Sequence, residues 1–598
     1  MSPWLLVLVP ALAAVLGVAV GRDDRVARGV AVGASSLMLL LAVVGWAVAG
    51  RSDVVTVGAA LEVGELQVPL EVLHDPTRWA LASVVAVVAL GVQIYSTWYL
   101  ATDDRYPRFA ATVSLFTAAM LLVVHAGDLV LTIIGWEVMG WCSYLLIGHW
   151  SRRPSARRAA HKAFLVTRLA DIGFVLGMVG LAAGVPLGEA LTACGAPDGT
   201  LRALLVTLVV IGVLGKSAQV PFQDWLADAM EGPTPASALI HAATMVAAGT
   251  VVLAGLFPRL AVCQTPRWVL GLSVSVTMLL AALLAFAQSD LKRLLAWSTV
   301  SQVGVMLSAL ATAPPGAGPD AGLFHLWSHA IFKALLFLAM GWAGIIAGST
   351  AATALRGTAV AAPLLRVSFL FGLLSLAGVP LVVGGLSKEH VIAVSWEGAV
   401  EGGPGIVVLV ALLVTAAVTA AYCTRAYLLL TAHVRPAATT GPVPAAVQGV
   451  LGVLVVLSVL GGLVLFTDAF AVGEASLVWV VITLLVVAVG VAVALRGGLD
   501  RDPAEVLARR FVPHADRGLG ADTAYLRLVA TPVLALARVV AFLDTEVVDA
   551  YVRGTAVATR IAGRAGARAH RGERPASAVG LVLAGVVVLG IAGVLAWS

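Results

Sequence analysis

Charge is scarce in this sequence. Asp, Glu, Lys and Arg make up 12% of its 598 residues, about half the share of a soluble domain, and that deficit excludes a water-soluble fold. Cysteine is scarcer still. Cys142, Cys194, Cys263 and Cys423 are the whole set. None sits in a C-x-x-C pair, so nothing gathers ligands for zinc or an iron–sulfur centre. No dinucleotide-fold glycine fingerprint and no phosphate-binding loop occurs. A redox cofactor or a hydrolysed nucleotide is therefore not expected in this chain. Free, buried or interfacial thiols are the expected state of the cysteines, with a Cys194–Cys263 disulfide conceivable if both lie outside. Alternation over ten residues, the mark of an outer-membrane strand, is also missing. The formal charge of +5 is spread over loops and reads as membrane topology, not nucleic-acid binding.

What is plentiful is apolar sequence, in blocks of about 20 residues, the length that crosses a bilayer as a helix. The first, Pro3 to Val20, lacks the basic start and the small-residue cleavage site of a signal peptide. A second covers about 29–50. The polar stretch from Arg51 to Arg78 alternates and reads as a small external β-hairpin. Helices follow at about 79–100, 109–127, 128–149, 162–183, 236–257, 268–288, 294–312, 322–348, 404–431, 446–466 and 475–496. Two more are broken. One spans about 201–231, and the other spans 363–397 with interruptions near Gly378-Val379-Pro380 and Gly384-Gly385. Charge rises over 500–575, yet Val533-Leu534, Ala537, Val540-Ala541 and Val547-Val548 recur at helical spacing. That pattern is an amphipathic helix lying along a membrane or along neighbouring proteins. A last apolar run spans Ala578 to Trp597. The expected fold is an all-α integral membrane protein of about sixteen transmembrane helices, two of them broken. It divides as 1–130, 131–431, 432–499, the lateral segment 500–577 and a final helix 578–598. Arginine-rich loops after the first, third and fifth helices set the cytoplasmic side. Both termini are then external.

The few charges inside apolar runs are the candidate functional residues, because an ionised group in hydrocarbon costs several kcal/mol without a partner or water. Lys216 ends the run LLVTLVVIGVLGK, and Pro221 breaks the helix five residues later. Glu137 stands in LTIIGWEVMGWCSYLLIG, and Lys216 is its expected partner. A structural ion pair tying two helices is the plainer alternative. Arg168 and Asp171 are three apart and share a helix face, as a local pair or as part of a relay. His241 follows the first break and suits proton transfer near neutral pH, or is a packing residue. His325, His329 and Lys333 recur every fourth residue, within about 80° of one helix face. Two histidines four apart can bind metal, but no third ligand is evident and Lys333 opposes a cation. Lys388 repeats the theme of a lysine at a broken helix. Lys292, between Asp290 and Arg293, competes with ordinary interfacial anchoring. Two broken helices, each with a lysine, suggest inverted internal repeats with ion sites near the midplane.

Six segments, GWEVMGWCSYLLIGHW, HKAFLVTRLADIGF, GKSAQVPFQDWLADAMEGPTPASALIHAATM, DLKRLLAWSTVSQVGVM, HLWSHAIFKALLFL and GGLSKEHVI, resemble the large antiporter-like subunit of respiratory complex I, called subunit L in bacteria. The superfamily also holds Mrp-type antiporter subunits. The resemblance implies a hydrophilic axis along the membrane plane. Glu137 and Lys216 would form a pair modulated by Asp171 and, less directly, Lys292. His241, His325 and His329 would relay protons to Lys388. It also implies proton translocation in the bacterial inner membrane, with NADH, flavin, iron–sulfur clusters and quinone held by partner subunits and no cofactor here. The lateral helix resembles the arm that subunit L lays across its sister subunits, a feature favouring complex I over a cation/proton antiporter or an ion-coupled uptake subunit. Mrp-type large subunits continue into a further domain not found here. The sequence departs from the family at Asp224 and at Glu389, where an aspartate is common.

Overall fold

The computed structural model describes residues 3–19, 23–49, 53–56, 61–63, 66–68, 70–184, 199–360, 362–433, 442–473, 476–498, 501–570 and 575–597. Two helices open the chain, α1 (Trp4–Ala19) and α2 (Asp24–Ala47). Strands β1 (Asp53–Thr56), β2 (Leu61–Val63), β3 (Leu66–Val68) and β4 (Glu71–His74) follow. The expected hairpin has two tiers: β1 pairs antiparallel with β4, Asp53 opposite His74, and β2 pairs with β3. Then come α3 (Pro76–Tyr99), α4 (Tyr106–His125), α5 (Leu129–Ile147), α6 (Pro154–Gly184), α7 (Gly199–Lys216), the short α8 (Trp225–Asp228), α9 (Thr234–Ala242), α10 (Met245–Gly255), α11 (Phe257–Val262), α12 (Gln264–Phe286), α13 (Leu291–Thr312), α14 (Asp320–Ala347), α15 (Pro363–Ala377), α16 (Val383–Glu401), α17 (Gly405–Leu430), α18 (Ala445–Leu460) and α19 (Leu477–Leu495). Short α20 (Pro503–Leu507) and α21 (Val512–Asp516) precede α22 (Ala521–Tyr525), α23 (Thr531–Phe542), α24 (Asp549–His570) and α25 (Pro575–Trp597).

Among the described residues fifteen helices are long and apolar enough to cross a membrane, one of them within Gly518–Arg568; Trp4–Ala19 and Pro363–Ala377 are shorter apolar helices. The chain is a multi-pass membrane protein. Several of its rare carboxylates cap helices. Asp23, Asp75, Asp128, Asp290 and Asp502 each accept a backbone N–H from the first turn of the following helix, satisfying donors that a helix start leaves unpaired. Helices approach closely where glycine replaces a side chain. A Cβ on Gly177 of α6 would meet the Leu205 carbonyl of α7 at 2.6 Å.

The first break lies where Lys216 and Pro221 place it. Ala218 has φ 52° and the Val220–Pro221 peptide is cis. Side chains take up the freed backbone groups. Thr277 accepts the Val220 N–H at 2.9 Å, Gln219 donates to the Val300 carbonyl at 3.2 Å, and Trp225 donates to the Gly215 carbonyl at 3.1 Å. The second break covers 378–382, with Gly378 left-handed at φ 89°. Gly384 and Gly385 do not interrupt the helix. They lie in the first turn of α16, where any Cβ would fall on the backbone of Ser375 and Val379. A third break was not expected. The single helix read at 236–257 is α9 and α10, parted at Ala243-Thr244, where the Thr244 hydroxyl donates to the Leu239 carbonyl at 2.7 Å.

Residues 1–519 and 520–598 form two compact units. In the second, helix runs through α22, α23 and α24 with wider π turns at Leu526–Ala530 and Leu543–Val548. The apolar positions read as one face, Val533, Leu534, Val540, Val547 and Val548, are all exposed. Cysteine needs one correction. Cys142 and Cys423 are free, buried thiols, but Cys263 is disulfide-bonded. Cys194 lies outside the described residues.

Candidate functional site

The interior of the first unit holds a row of ionisable side chains on α5, α6, α7, α9, α14 and α16. At one end Lys216 is fully buried. Its ammonium donates to the Trp136 carbonyl at 2.8 Å, lies 4.5 Å from the Trp136 ring centroid, and stands 3.4 Å from an Asp171 oxygen. Trp136 completes the cage by donating its indole N–H to Asp171 at 2.7 Å and stacking on Phe174. Arg168 is 3.6 Å from Asp171 and also pairs with Glu137.

This differs from the expected Glu137–Lys216 pair. Asp171 is the carboxylate that meets Lys216, and Glu137 meets Arg168. Glu137 is not deeply buried either, its side chain keeping 32% exposure. Trp136 and Glu137 are consecutive on α5, so their side chains diverge by about 100°. When Trp136 turns toward Lys216, Glu137 turns away. Nor is Arg168–Asp171 only a local pair, since it links Glu137 to Lys216. Gly140 makes the arrangement possible: a Cβ there would strike the Arg168 guanidinium and lie 3.2 Å from the Lys216 nitrogen.

The other expected residues are buried along the same interior. His241, at the end of α9, is fully buried, has no protein hydrogen bond on either ring nitrogen, and packs against Phe337 at 4.8 Å. The four-residue stripe on α14 faces inward as predicted. Lys333 donates to Ser298 at 2.6 Å and to the Leu295 carbonyl at 3.0 Å. His329 stands 3.4 Å from the Ala242 carbonyl, its ring 6.4 Å from that of His325. His325 meets the Ser387 hydroxyl at 2.9 Å, one residue before Lys388, whose ammonium donates to the Leu376 carbonyl at the second break. Lys292 is buried and not an interfacial anchor. It donates to the Met230 and Gly232 carbonyls at 2.7 and 2.8 Å and lines a cavity of 390 Å³ with Asp228, Asp290 and Arg293.

Sequence reasoning placed Lys333 in the stripe but left it out of the relay, although its burial and its place between the histidines and Ser298 put it in the row. It also missed the counter-charges. Lys162 pairs with both Asp224 and Asp228, and Asp228 with Arg293 at 3.4 Å. Asp224, noted as a departure, is thus half of an ion pair. Arg425 makes a bidentate pair with Asp502 at 2.6 and 2.8 Å. Spacing along one helix reports which residues share a face; it does not report which neighbouring helix supplies a partner.

Comparison with known proteins adds the family. The family described as NADH:quinone oxidoreductase/Mrp antiporter, TM, matches residues 126–419. That described as NADH-Ubiquinone oxidoreductase (complex I), chain 5 N-terminus, matches residues 61–110. NADH-quinone oxidoreductase subunit L of Escherichia coli (strain K12) is 40% identical over 383 residues, 61% of this chain and 59% of that protein. The chloroplastic NAD(P)H-quinone oxidoreductase subunit 5 of Zygnema circumcarinatum is 37% identical over 457 residues, 71% of this chain and 63% of that one. The chain thus spans between 47% and 63% of the length of the curated relatives it matches. Among solved structures, a chain of the Mrp complex from Dietzia sp. DQ12-45-1b shares the fold with TM-score 0.71 at 24% identity, covering 100% of this chain and 63% of that one. A chain of respiratory complex I from Thermus thermophilus matches with TM-score 0.58 at 26% identity, covering 78% of this chain and 100% of that one.

Proposed function

Because the chain belongs to the NADH:quinone oxidoreductase/Mrp antiporter family, we propose that it is a proton-translocating membrane subunit of an NADH–quinone oxidoreductase. Electron transfer, with its NADH, flavin, iron–sulfur clusters and quinone, then occurs in partner subunits, and this chain does electrostatic work. The observation that carries the reading is the buried row of Lys216, His241, Lys333, His329, His325 and Lys388. A buried charge without a task is a cost in stability, and this row holds three lysines, with a fourth, Lys292, buried nearby.

The geometry supports a specific sequence of events. With Glu137 engaged, Arg168 is held to it and Asp171 is left to Lys216. When Glu137 is drawn elsewhere or neutralised, Arg168 turns fully onto Asp171, 3.6 Å away. Lys216 then loses its counter-charge and releases its proton toward His241. The proton continues past Lys333, His329 and His325 to Lys388. Two unit charges 3.4 Å apart attract by about 5 kcal/mol at an effective dielectric of about 20. Moving one charge against 100 mV takes about 2.3 kcal/mol, so one switched pair is large enough. The 390 Å³ cavity lined by Lys292 is the aqueous approach to Lys292 in this scheme.

In this reading the chain lies in a bacterial inner membrane, and the basic loops favour an orientation with both termini external and the segment 500–577 cytoplasmic. The exposed apolar face of that segment suits contact with sister subunits. Lys216→Ala and Glu137→Gln, in the complete complex reconstituted in proteoliposomes, should each abolish most proton pumping without preventing assembly. Normal pumping by either variant rejects the assigned roles.

A cation/proton antiporter is the second reading, favoured by the Mrp chain that covers all of this one. That coverage includes the C-terminal arm, so the arm does not separate the two readings as its resemblance to subunit L implied. Copurified NADH-oxidising subunits support the first reading, and their absence with retained cation exchange supports the second.

A further inference from the structure

Helix α17 carries a polar face that the relay above does not use. Thr415, Thr419, Tyr422 and Cys423 fall at steps of four, three and one, hence on one side of the helix, and all four are buried. The threonines are unusual. A threonine in an apolar helix commonly returns its hydroxyl to the carbonyl four residues back, as Thr424 of the same helix and Thr431, the residue just past its end, do at 2.8 and 2.7 Å. Thr415 and Thr419 do not, and neither hydroxyl has a protein hydrogen bond. Both line a small cavity of about 10 Å³ together with Lys388 and Gln302. Gln302 is fully buried, and neither its amide oxygen nor its amide nitrogen has a protein partner. Three polar side chains and an ammonium thus converge on a space at the lower limit for one water molecule.

The other end of this face reaches Lys333. Its ammonium donates to Ser298 at 2.6 Å. The Tyr422 hydroxyl lies beside those of Ser298 and Thr419 but is not aligned as a hydrogen bond to either. The order is Lys333, Ser298, Tyr422, Thr419, cavity, Lys388.

We propose that Ser298, Tyr422, Thr419 and Thr415, with one water held between Gln302, Thr415 and Lys388, form a second proton route from Lys333 to Lys388, parallel to His329 and His325. Each hydroxyl accepts one proton and gives up its own to the next oxygen, so Lys333 loses one proton, Lys388 gains one, and nothing else is consumed. The Ser298 hydroxyl, which donates to the Leu295 carbonyl at 2.9 Å, rotates toward Tyr422 to open the route. It rests on the proton-translocation reading above.

The test uses the full chain in its reconstituted complex. Tyr422→Phe and Thr419→Val, which delete a hydroxyl and keep the shape, are each expected to cause a partial loss of proton flux, as is His325→Leu. Tyr422→Phe combined with His325→Leu is expected to lose most of it, and Thr419→Ser to restore what Thr419→Val removes. A double variant no worse than His325→Leu alone overturns the proposal. A cryo-EM map fine enough to show ordered water is the second measurement, independent of flux and of how any variant folds. Water within hydrogen-bond distance of Lys388 and Thr415 upholds the site, and a dry cavity overturns it. A wild type that moves no protons instead defeats the transport reading, and the map alone then decides the hydroxyl–water chain.

Discussion

Replacing Asp171 with asparagine isolates the electrostatic part of the mechanism. The amide keeps the size of the side chain and an oxygen for the Trp136 indole, which donates to it at 2.7 Å. What it removes is the charge shared by Lys216 at 3.4 Å and Arg168 at 3.6 Å. Arg168 retains Glu137, but among the described residues no second carboxylate pairs with Lys216. The attraction lost to Lys216 is about 5 kcal/mol at an effective dielectric of about 20, within the about 3–5 kcal/mol typical of a buried pair that loses one member. If even half of that couples to transport, flux falls more than about tenfold, since each 1.4 kcal/mol is a decade. The assay is proton uptake by proteoliposomes holding the complete complex, read with a pH-sensitive dye, alongside thermal unfolding in detergent. Flux and unfolding temperature both unchanged from wild type would refute the switch, because Asp171 would then not be holding Lys216.

Gly140→Ala should cost about 1–3 kcal/mol by overpacking and should reduce flux, because the new methyl displaces Arg168 and crowds Lys216; thermal unfolding and dye uptake together check this. Arg425→Ala or Asp502→Ala should each cost about 3–5 kcal/mol and free the segment 501–517 to limited proteolysis, whereas Arg425→Met with Asp502→Leu should restore protection. At the loop between α5 and α6, burial pushes the His149 imidazole below its usual range, and the Asp103 carboxylate 3.2 Å away only partly opposes it. The unfolded chain therefore takes up the proton first, and stability falls as pH drops below about 6.5. His149→Gln should flatten that slope in a pH series of unfolding temperatures.

Much of the fold was legible because hydrocarbon imposes a length. Apolar runs of about 20 residues mark helices wherever they occur, and the structure has helices at each. Lys216 with Pro221, and Gly378 with Pro380, announced two breaks because a ring without an N–H and a left-handed glycine cannot continue a helix. The break at Ala243-Thr244 carried no such residue and went unseen. Burial of Lys216, His241, His325, His329 and Lys388 was legible from the same cost that makes them rare. The partner of Lys216 was not, because pairing across helices depends on how each helix is rotated. Trp136 and Glu137 compete for the face turned toward α7, and the indole takes it. The polar face of α17 was hidden for another reason. Threonine in a membrane helix commonly satisfies itself, so Thr415 and Thr419 differ from Thr424 only once their hydroxyl directions are known.

The most direct test of the central claim is proton flux through Lys333→Met. Methionine keeps the length and removes a fully buried ammonium that has no carboxylate partner among the described residues, so the burial cost of an unpaired charge goes with it. A conducting row predicts that flux is lost while the unfolding temperature holds or rises. Wild-type flux in that variant would contradict it, leaving the buried lysines as structural groups with no part in moving protons.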